Sequence, residues 1–370
     1  MTNIALIYRV YWRNGAIPLI VRDAVHWLIK KGKKVTIIAS DVNEKESDGN
    51  ITFARTFISK IRIFDFTGLV FAFTSFFKLL IMHRRQPIEL IISHDSTGFY
   101  GTYLFSKIYK VPAIVFFHGW IYNPIREKAY PRPVTFMYKL NARFCARHAA
   151  KIGCVSQEIA SGMKTLGATD EKIELFHNSI DLDKFTNKLT PKSTNDKVVL
   201  FVGRLAEEKG VKFLIKAIPE ILRKVSSVKF IIIGAGSQEV VLKNLSKKLQ
   251  VSEKVLFKGN ILNKELPRYY SQADILVIPS LSEGHALVPI EALACGTPVV
   301  GTRIDGIIET VVDGYNGLLI EPKDHMSLAS AITRVLSDDK LLDQLTINAH
   351  PSVQKFSWEH TVDRLIKITD

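Results

Sequence analysis

Cysteine is scarce in this chain: Cys145, Cys154 and Cys295 are the three in 370 residues. An odd number at those separations gives neither a disulfide framework nor metal-ligand spacing, so they read as reduced core thiols of a cytosolic protein. Apolar runs of membrane-spanning length are also missing. The most apolar stretch, Phe66–Met82, covers 17 residues, contains Lys78 and ends in His83-Arg84-Arg85. A span needs about 20 residues. Three readings stay open: a marginal span, a helix lying in a membrane interface between basic flanks (Lys60, Arg62, Arg84, Arg85), or a buried helix. The opening residues, Met1-Thr2-Asn3-Ile4-Ala5-Leu6-Ile7-Tyr8, are too short and polar-bounded for a signal peptide and read as a first strand. Low-complexity segments are few, and no sequence repeat links the two halves.

Acidic residues are short in the first half alone. The net charge is +14; residues 1–190 hold 27 Lys and Arg against 15 Asp and Glu (+12), residues 191–370 hold 23 against 21 (+2). A surplus so placed fits an anionic membrane, a phosphorylated acceptor, a nucleic acid, or simply a solvated lysine-rich surface. Nucleic acid is disfavoured, because the basic residues are scattered and no recognition helix or aromatic platform is present.

What the chain has in quantity is a βα rhythm. Buried strands are expected at 4–8, 34–40, 51–57, 90–93, 113–117, 151–155 and 173–177, then at 198–202, 229–233, 255–258, 275–279, 298–301 and 317–320. Helical spacing lies between them, as in Ile20, Ala24, Trp27 and Leu28, at 139–150 and at 211–222. Residues 178–196 read as a polar linker. The expected architecture is α/β, with two doubly wound Rossmann-like domains facing each other across a cleft, at 1–187 and 188–355. Residues 120–135, with Trp120, Tyr122, Tyr130 and three prolines, read as a mobile ligand-facing loop.

Ligands of such sheets bind beyond the C-terminal strand ends. The chemistry-bearing loops fall there. In Ser280-Leu281-Ser282-Glu283-Gly284-His285-Ala286-Leu287-Val288-Pro289-Ile290-Glu291, a strand gives way to a helix. Pro289 has no N–H to lose in a first turn and marks the helix start. The amides of Gly284 to Val288 then form an anion site. Two carboxylates beside it, Glu283 and Glu291, suit a hydroxyl-rich ligand that carries phosphate. Arg204 and Lys209 follow another buried strand and suit a diphosphate clamp. His118 ends the strand Val115-Phe116-Phe117 and can touch a reacting sugar or merely cap the strand. Gly234-Ala235-Gly236 lacks the third glycine of a dinucleotide fingerprint, since Glu239 stands there, and reads as a tight turn. Asp181-Leu182-Asp183 is a weak candidate for a metal-binding pair.

Together these pieces resemble glycosyltransferase family 4, the retaining branch with the GT-B fold, over nearly the whole chain. The most specific match is the glutamate pair Glu283 and Glu291. Supporting matches are Phe201-Val202-Gly203-Arg204 with Glu208-Lys209-Gly210, Asn178-Ser179-Ile180-Asp181, Ala294-Cys295-Gly296-Thr297-Pro298-Val299-Val300 and Phe356-Ser357-Trp358-Glu359. The resemblance implies a hexosyltransferase that moves a sugar from a UDP-, GDP- or ADP-sugar to an acceptor hydroxyl with retention, without cofactor or metal. It implies that Arg204 and Lys209 neutralise the departing diphosphate, aided by Gly203 and the amides near Leu287 and Val288. Glu291 would take the ribose, Glu283 the sugar hydroxyls, and His118 would sit by sugar and acceptor. Gly15, Gly284 and His285 would complete the donor pocket, and base contacts would come from residues 258–261.

The implied acceptor is a lipid-linked or membrane-proximal glycan, with a soluble sugar or glucan, or donor binding without catalysis, as alternatives. The basic first domain would bring the chain to the cytoplasmic face of an anionic membrane. The C-terminal helix, residues 356–370, is implied to pack on that first domain. Three positions depart from the family pattern. Asn14-Gly15 stands for two glycines, His285 for an aromatic phenylalanine and Ser179 for a glycine.

Overall fold

Thirteen parallel strands, alternating with helices, make two sheets in the computed structural model, which describes residues 2–9, 11, 15–47, 49–56, 66–94, 96–119, 131–186 and 196–368. The chain separates into two units, Met1–Asn178 with Trp358–Asp370, and Ser179–Ser357.

The first unit contains β1 (Asn3–Ile7), β2 (Lys34–Ala39), β3 (Ile51–Arg55), β4 (Leu90–Ser93), β5 (Ala113–Phe117), β6 (Lys151–Cys154) and β7 (Ile173–Leu175), in the order β3-β2-β1-β4-β5-β6-β7. Every pairing is parallel. β1, β4 and β5 are buried at each position, as continuous apolar runs covered on both faces require. The helices are α1 (Ala16–Lys30), α2 (Phe66–Arg85), α3 (Phe99–Tyr109), α4 (Arg132–His148) and α5 (Gln157–Thr165). α4 begins well before residue 139, so Arg132 to Thr135 are helical and not loop, with Pro133 tolerated in the first turn. Residues 120–130 of the expected loop lie outside the described residues, as do Asn14, Lys60, Arg62 and residues 187–195 of the expected linker.

The C-terminal helix, Trp358–Lys367, joins this unit. Lys31 beyond α1 reaches Asp363 at 2.8 Å and Glu359 at 3.3 Å, and Arg364 donates to the Leu175 carbonyl at 3.1 Å. Trp358, Val362 and Leu365 are its buried face.

The second unit contains β8 (Lys197–Val202), β9 (Val228–Ile233), β10 (Val255–Gly259), β11 (Ile275–Ile278), β12 (Val299–Thr302) and β13 (Gly317–Ile320), in the order β10-β9-β8-β11-β12-β13. Its helices are α6 (Val211–Lys224), α7 (Glu239–Lys248), α8 (Leu266–Gln272), α9 (Leu287–Ala294), α10 (Asp305–Ile308), α11 (His325–Ser337) and α12 (Asp339–Ser352). The boundary at 178/179 precedes the 187/188 division expected from the polar stretch. The reason is packing: Ile180 and Phe185 are buried in the same cluster as Val198, Leu200 and Tyr270. Ile180 N also donates to Phe356 O at 3.0 Å, so the two chain crossings lie side by side. Asp181 closes a local turn there, its carboxylate accepting from Asp183 N at 3.0 Å.

In each sheet the strand order reverses beside the first strand, between β1 and β4 and between β8 and β11. Crevices at such points are where doubly wound sheets take ligands. One backbone feature sharpens the second of them. Gly210 has φ 64° at the start of α6, and a Cβ there would lie 1.9 Å from the Pro279 carbonyl oxygen. Gly210→Ala is expected to cost at least about 3 kcal/mol, from the αL penalty plus overpacking. Gly259→Ala, at φ 67° with nothing within 4 Å, should cost only about 1–2 kcal/mol. Equal losses in urea denaturation would defeat the steric account.

Candidate active site

The loops after β8 and β11 meet through an ion pair. Lys209 Nζ donates to both carboxylate oxygens of Glu283, at 2.6 and 2.8 Å. Glu283 is only 9% exposed and Lys209 21%. Ser280 Oγ donates to Glu283 Oε1 at 2.8 Å, so the buried carboxylate has a neutral donor as well. The backbone repeats the link, Leu281 N donating to Glu208 O at 2.7 Å. Thr302 Oγ1 donates to Ser280 O at 2.6 Å and anchors the loop to the end of β12. A buried charge of this kind persists when paired and hydrogen-bonded on several sides.

Arg204 stands at the same strand end but is 72% exposed, and pairs with Glu208 at 2.7 Å. Gly203 continues β8, its N–H donating to Ile233 O at 3.0 Å. The segment Gly234-Ala235-Gly236 packs against it: Leu205 N donates to Ala235 O at 3.0 Å and Gln238 N to Leu205 O at 2.8 Å. It is a strand-to-helix turn, laid on the loop of Gly203 and Leu205.

α9 starts at Leu287, so Pro289 is its third residue rather than its first, still within the turn that needs no N–H. Gly284 is buried before it, and Leu287 and Val288 are half-buried in its first turn. Glu291 is buried on α9, where Tyr270 Oη donates to its Oε2 at 2.6 Å. Burial and the neighbouring Glu291 carboxylate both push the Tyr270 phenol well above its usual range. Tyr270 therefore stays a neutral donor. His285 stands two residues before α9. It is buried with Nε2 at 3.3 Å from Thr310 Oγ1 and its ring 5.4 Å from that of Phe356.

Gly15 and His118 belong to the first unit. Gly15 caps α1 after β1, its carbonyl accepting from Leu19 N at 3.2 Å. His118 follows β5 and forms a pair with His94 after β4, Nε2 to Nδ1 at 2.9 Å. The rings lie 5.1 Å apart, nearly parallel, and His94 stacks on Phe116 at 4.9 Å. Burial pushes His118 down to about 4, and burial with the His118 neighbour holds His94 well below 6.5. Both imidazoles are neutral at pH 7, one as donor and one as acceptor. The Nδ1 atom of His118 is sealed from solvent and has no hydrogen-bond partner among the described residues.

Tyr270, Ser280 and His94 are absent from the candidates read off the sequence. Tyr270 and Ser280 carry no motif; their roles come from contact with Glu291 and Glu283. The one available signal for His94 was its place at the end of a buried strand, the same as for His118.

Two consequences are measurable. Tyr270→Phe keeps the ring and removes one donor to a buried carboxylate, and should lower unfolding free energy by roughly 1–3 kcal/mol; an unchanged urea midpoint would count against the bond. For the histidine pair, the unfolded chain binds protons as pH falls through 6.5 while folded His118 waits until about 4. Stability should thus be lost as pH falls between those values, by up to about 1.4 kcal/mol per pH unit. The stability difference between wild type and His118→Asn should narrow over that window; a pH-independent difference contradicts the buried neutral assignment.

With the geometry in hand, likeness to known proteins is informative. Residues 19–184 match the family model Glycosyltransferase Family 4 and residues 183–351 match Glycosyl transferases group 1. The uncharacterised glycosyltransferase MJ1178 of Methanocaldococcus jannaschii is 31% identical over 288 residues, 77% of this chain and 76% of that protein. The capsular polysaccharide biosynthesis glycosyltransferase CapM of Staphylococcus aureus is 27% identical over 95% of this chain and 94% of its own. A D-inositol 3-phosphate glycosyltransferase of Corynebacterium jeikeium is 33% identical, over 57% of this chain and 55% of its own length. The match thus spans about half of some curated relatives. Among solved structures, the sucrose-phosphate synthase of Thermosynechococcus elongatus superposes with a TM-score of 0.83 at 22% identity, covering 100% of this chain and 98% of that one. Anabaena HepE, in complex with UDP-glucose, does so with a TM-score of 0.77 at 19% identity, covering 100% and 99%. Two Rossmann-like parallel sheets of this order are the GT-B fold, and the chain belongs to the group 1, family 4 glycosyltransferases.

Proposed function

We propose that the protein is a retaining hexosyltransferase that moves a sugar from a nucleotide-diphospho-sugar to a hydroxyl of a glycan acceptor, lipid-linked or otherwise membrane-proximal. The observation that supports this most is the Lys209–Glu283–Ser280 cluster at the strand-order reversal of the second unit, on the loop that runs into α9. An ammonium has three protons, and Glu283 takes two. The third is available to a phosphate oxygen. Arg204 is tied to Glu208 by an exposed pair, which is weak enough to be exchanged for a diphosphate. The first-turn amides of α9 lack helical partners and favour an anion. Glu291, oriented by Tyr270, accepts ribose hydroxyls in this reading.

The reaction then balances without an enzyme base. The bond from the anomeric carbon to the diphosphate oxygen breaks, and the acceptor oxygen bonds to the same face. Its proton passes to the leaving phosphate oxygen. Lys209 and Arg204 meet the negative charge as it grows on that oxygen, where electrostatic stabilisation counts most. Glu283 orients sugar hydroxyls near the ring. His118, held neutral beside His94, would sit by sugar and acceptor without adding a charge. The names of relatives fit this reading: HepE was solved with UDP-glucose, and CapM acts in capsular polysaccharide biosynthesis.

A panel of UDP-, GDP- and ADP-sugars, scored by nucleotide release, tests it. Lys209→Ala is expected to lower kcat by at least about 100-fold with a smaller change in KM, because it meets charge made in the transition state. Glu291→Ala should chiefly raise KM for the donor. Full turnover in both variants, or no release from any donor, would refute the proposal.

A further inference from the structure

The outer face of one helix layer in the first unit has the makeup of a lipid contact. Because the strand order reverses at β1, the helices α2, α3 and α4 cover the sheet face opposite α1. Their inward residues, among them Phe71, Leu79, Phe105 and Cys145, share one core cluster. α2 and α3 touch backbone to backbone, since a Cβ on Gly101 would lie 2.0 Å from Ala72 O. α3 and α4 are joined by Tyr100 Oη donating to Asn141 Oδ1 at 2.7 Å, and by the Tyr100 and Phe144 rings 4.5 Å apart. The three helices therefore present one continuous outward surface.

That surface is apolar where a solvated one would be polar. Leu69, Phe73, Phe77 and Ile81 recur every fourth residue along α2 and are all exposed, Phe73 by 66%. Leu104 and Ile108 extend the patch on α3, and Phe136 and Leu140 on α4. Contiguous exposed patches of this kind mark interaction sites. The charge carried by the helices themselves has one sign, and the carboxylate that meets them, Glu44, is paired with Lys78 of α2 at 2.8 Å. None of the three helices contains an aspartate or glutamate, and their exposed cations include Arg84, Arg85, Lys107, Arg143 and Arg147. Between the C-terminal ends of α3 and α4 opens a cleft of about 520 Å³, walled by Tyr103 and lined by Lys107, Lys110, Arg147, His148 and Lys172, with no carboxylate in its lining.

We propose that this face docks on an anionic phospholipid bilayer, with the Leu69–Phe73–Phe77–Ile81 stripe at the acyl boundary and the cationic cleft against lipid phosphates. Charge complementarity selects that occupant. A second copy would bring two surfaces of net positive charge together, whereas an anionic leaflet attracts the Lys and Arg near it. Among the described residues no helix is long and apolar enough to cross a membrane, so α2 lies on the surface. This corrects the spanning reading of Phe66–Met82. The buried reading holds for one side of α2, which packs Phe71 and Leu79 into the core, while the other side is left exposed.

The inference goes beyond the transferase reading and stands or falls separately. The full chain is sedimented with phosphatidylcholine vesicles, with and without phosphatidylglycerol, at low and high salt. Light scattering and nucleotide release are measured on the same samples. Binding is expected to the anionic vesicles alone and to fall at high salt. Phe73→Ser with Phe77→Ser should weaken it at least tenfold. Lys107→Gln with Arg147→Gln should weaken it and flatten its salt dependence. Val240→Ser, an exposed apolar site in the second unit, should leave it unchanged. No anionic-vesicle binding at low salt, or equal binding to neutral vesicles, overturns the proposal. So does a wild-type dimer that the phenylalanine double variant converts to monomer. Nucleotide release without vesicle binding defeats this inference alone; vesicle binding without release defeats only the transferase reading.

Discussion

A lysine ammonium held by both oxygens of one carboxylate is the interaction on which the second unit's strand ends depend. Lys209 leaves the loop after β8, Glu283 the loop after β11, and these strands are neighbours at the point where strand order reverses. Glu283 is only 9% exposed, and a polar group so buried needs hydrogen-bond partners. Lys209 supplies the countercharge and Ser280 the neutral hydrogen bond. Removing either charge leaves the other uncompensated, which typically costs about 3–5 kcal/mol. The pair thus ties the two loops together, and in the proposed reading it also places a cation beside the donor diphosphate.

The candidate site residues of the two units differ in kind. The second unit collects full charges: Lys209, Glu283, Glu291 and the exposed Arg204–Glu208 pair. The first unit offers two neutral imidazoles bonded to each other, kept uncharged by burial. In the proposed reading, the charges of the second unit meet the phosphates of the donor. The thiols take no part. Burial pushes Cys154 and Cys295 up to about 12, so neither is a thiolate at neutral pH. They pack as small apolar groups, as their scarcity in the sequence suggested.

Most of the fold was legible because parallel strands covered on both faces must be continuous apolar runs. Leu90–Ser93, Ala113–Phe117 and Gly317–Ile320 stand where the runs placed them, and other strand ends shift by one or two residues. The errors came where local composition competes with tertiary packing. Proline-rich residues before 139 look like loop, yet Arg132–Thr135 begin α4. The polar linker suggested a division at 187/188, but Ile180 and Phe185 are buried on the second unit and move it to 178/179.

The sequence by itself determined the element order, the strand-end positions of Gly203, Arg204, Lys209, Glu283 and His118, and the surplus of positive charge in the first half. These follow from periodicity and residue type, which are local properties. Partnership was decided only by the tertiary structure. That Lys209 answers Glu283, that Tyr270 orients Glu291, that His94 joins His118 and that His285 turns toward Phe356 are facts about residues brought together from distant positions. Hydrogen bonds and ion pairs act over a few ångströms, and the chain distances between these partners carry no trace of them. The same holds for α2: its apolar pattern was visible in the sequence, but which side the core would leave exposed depended on the layer it packs in.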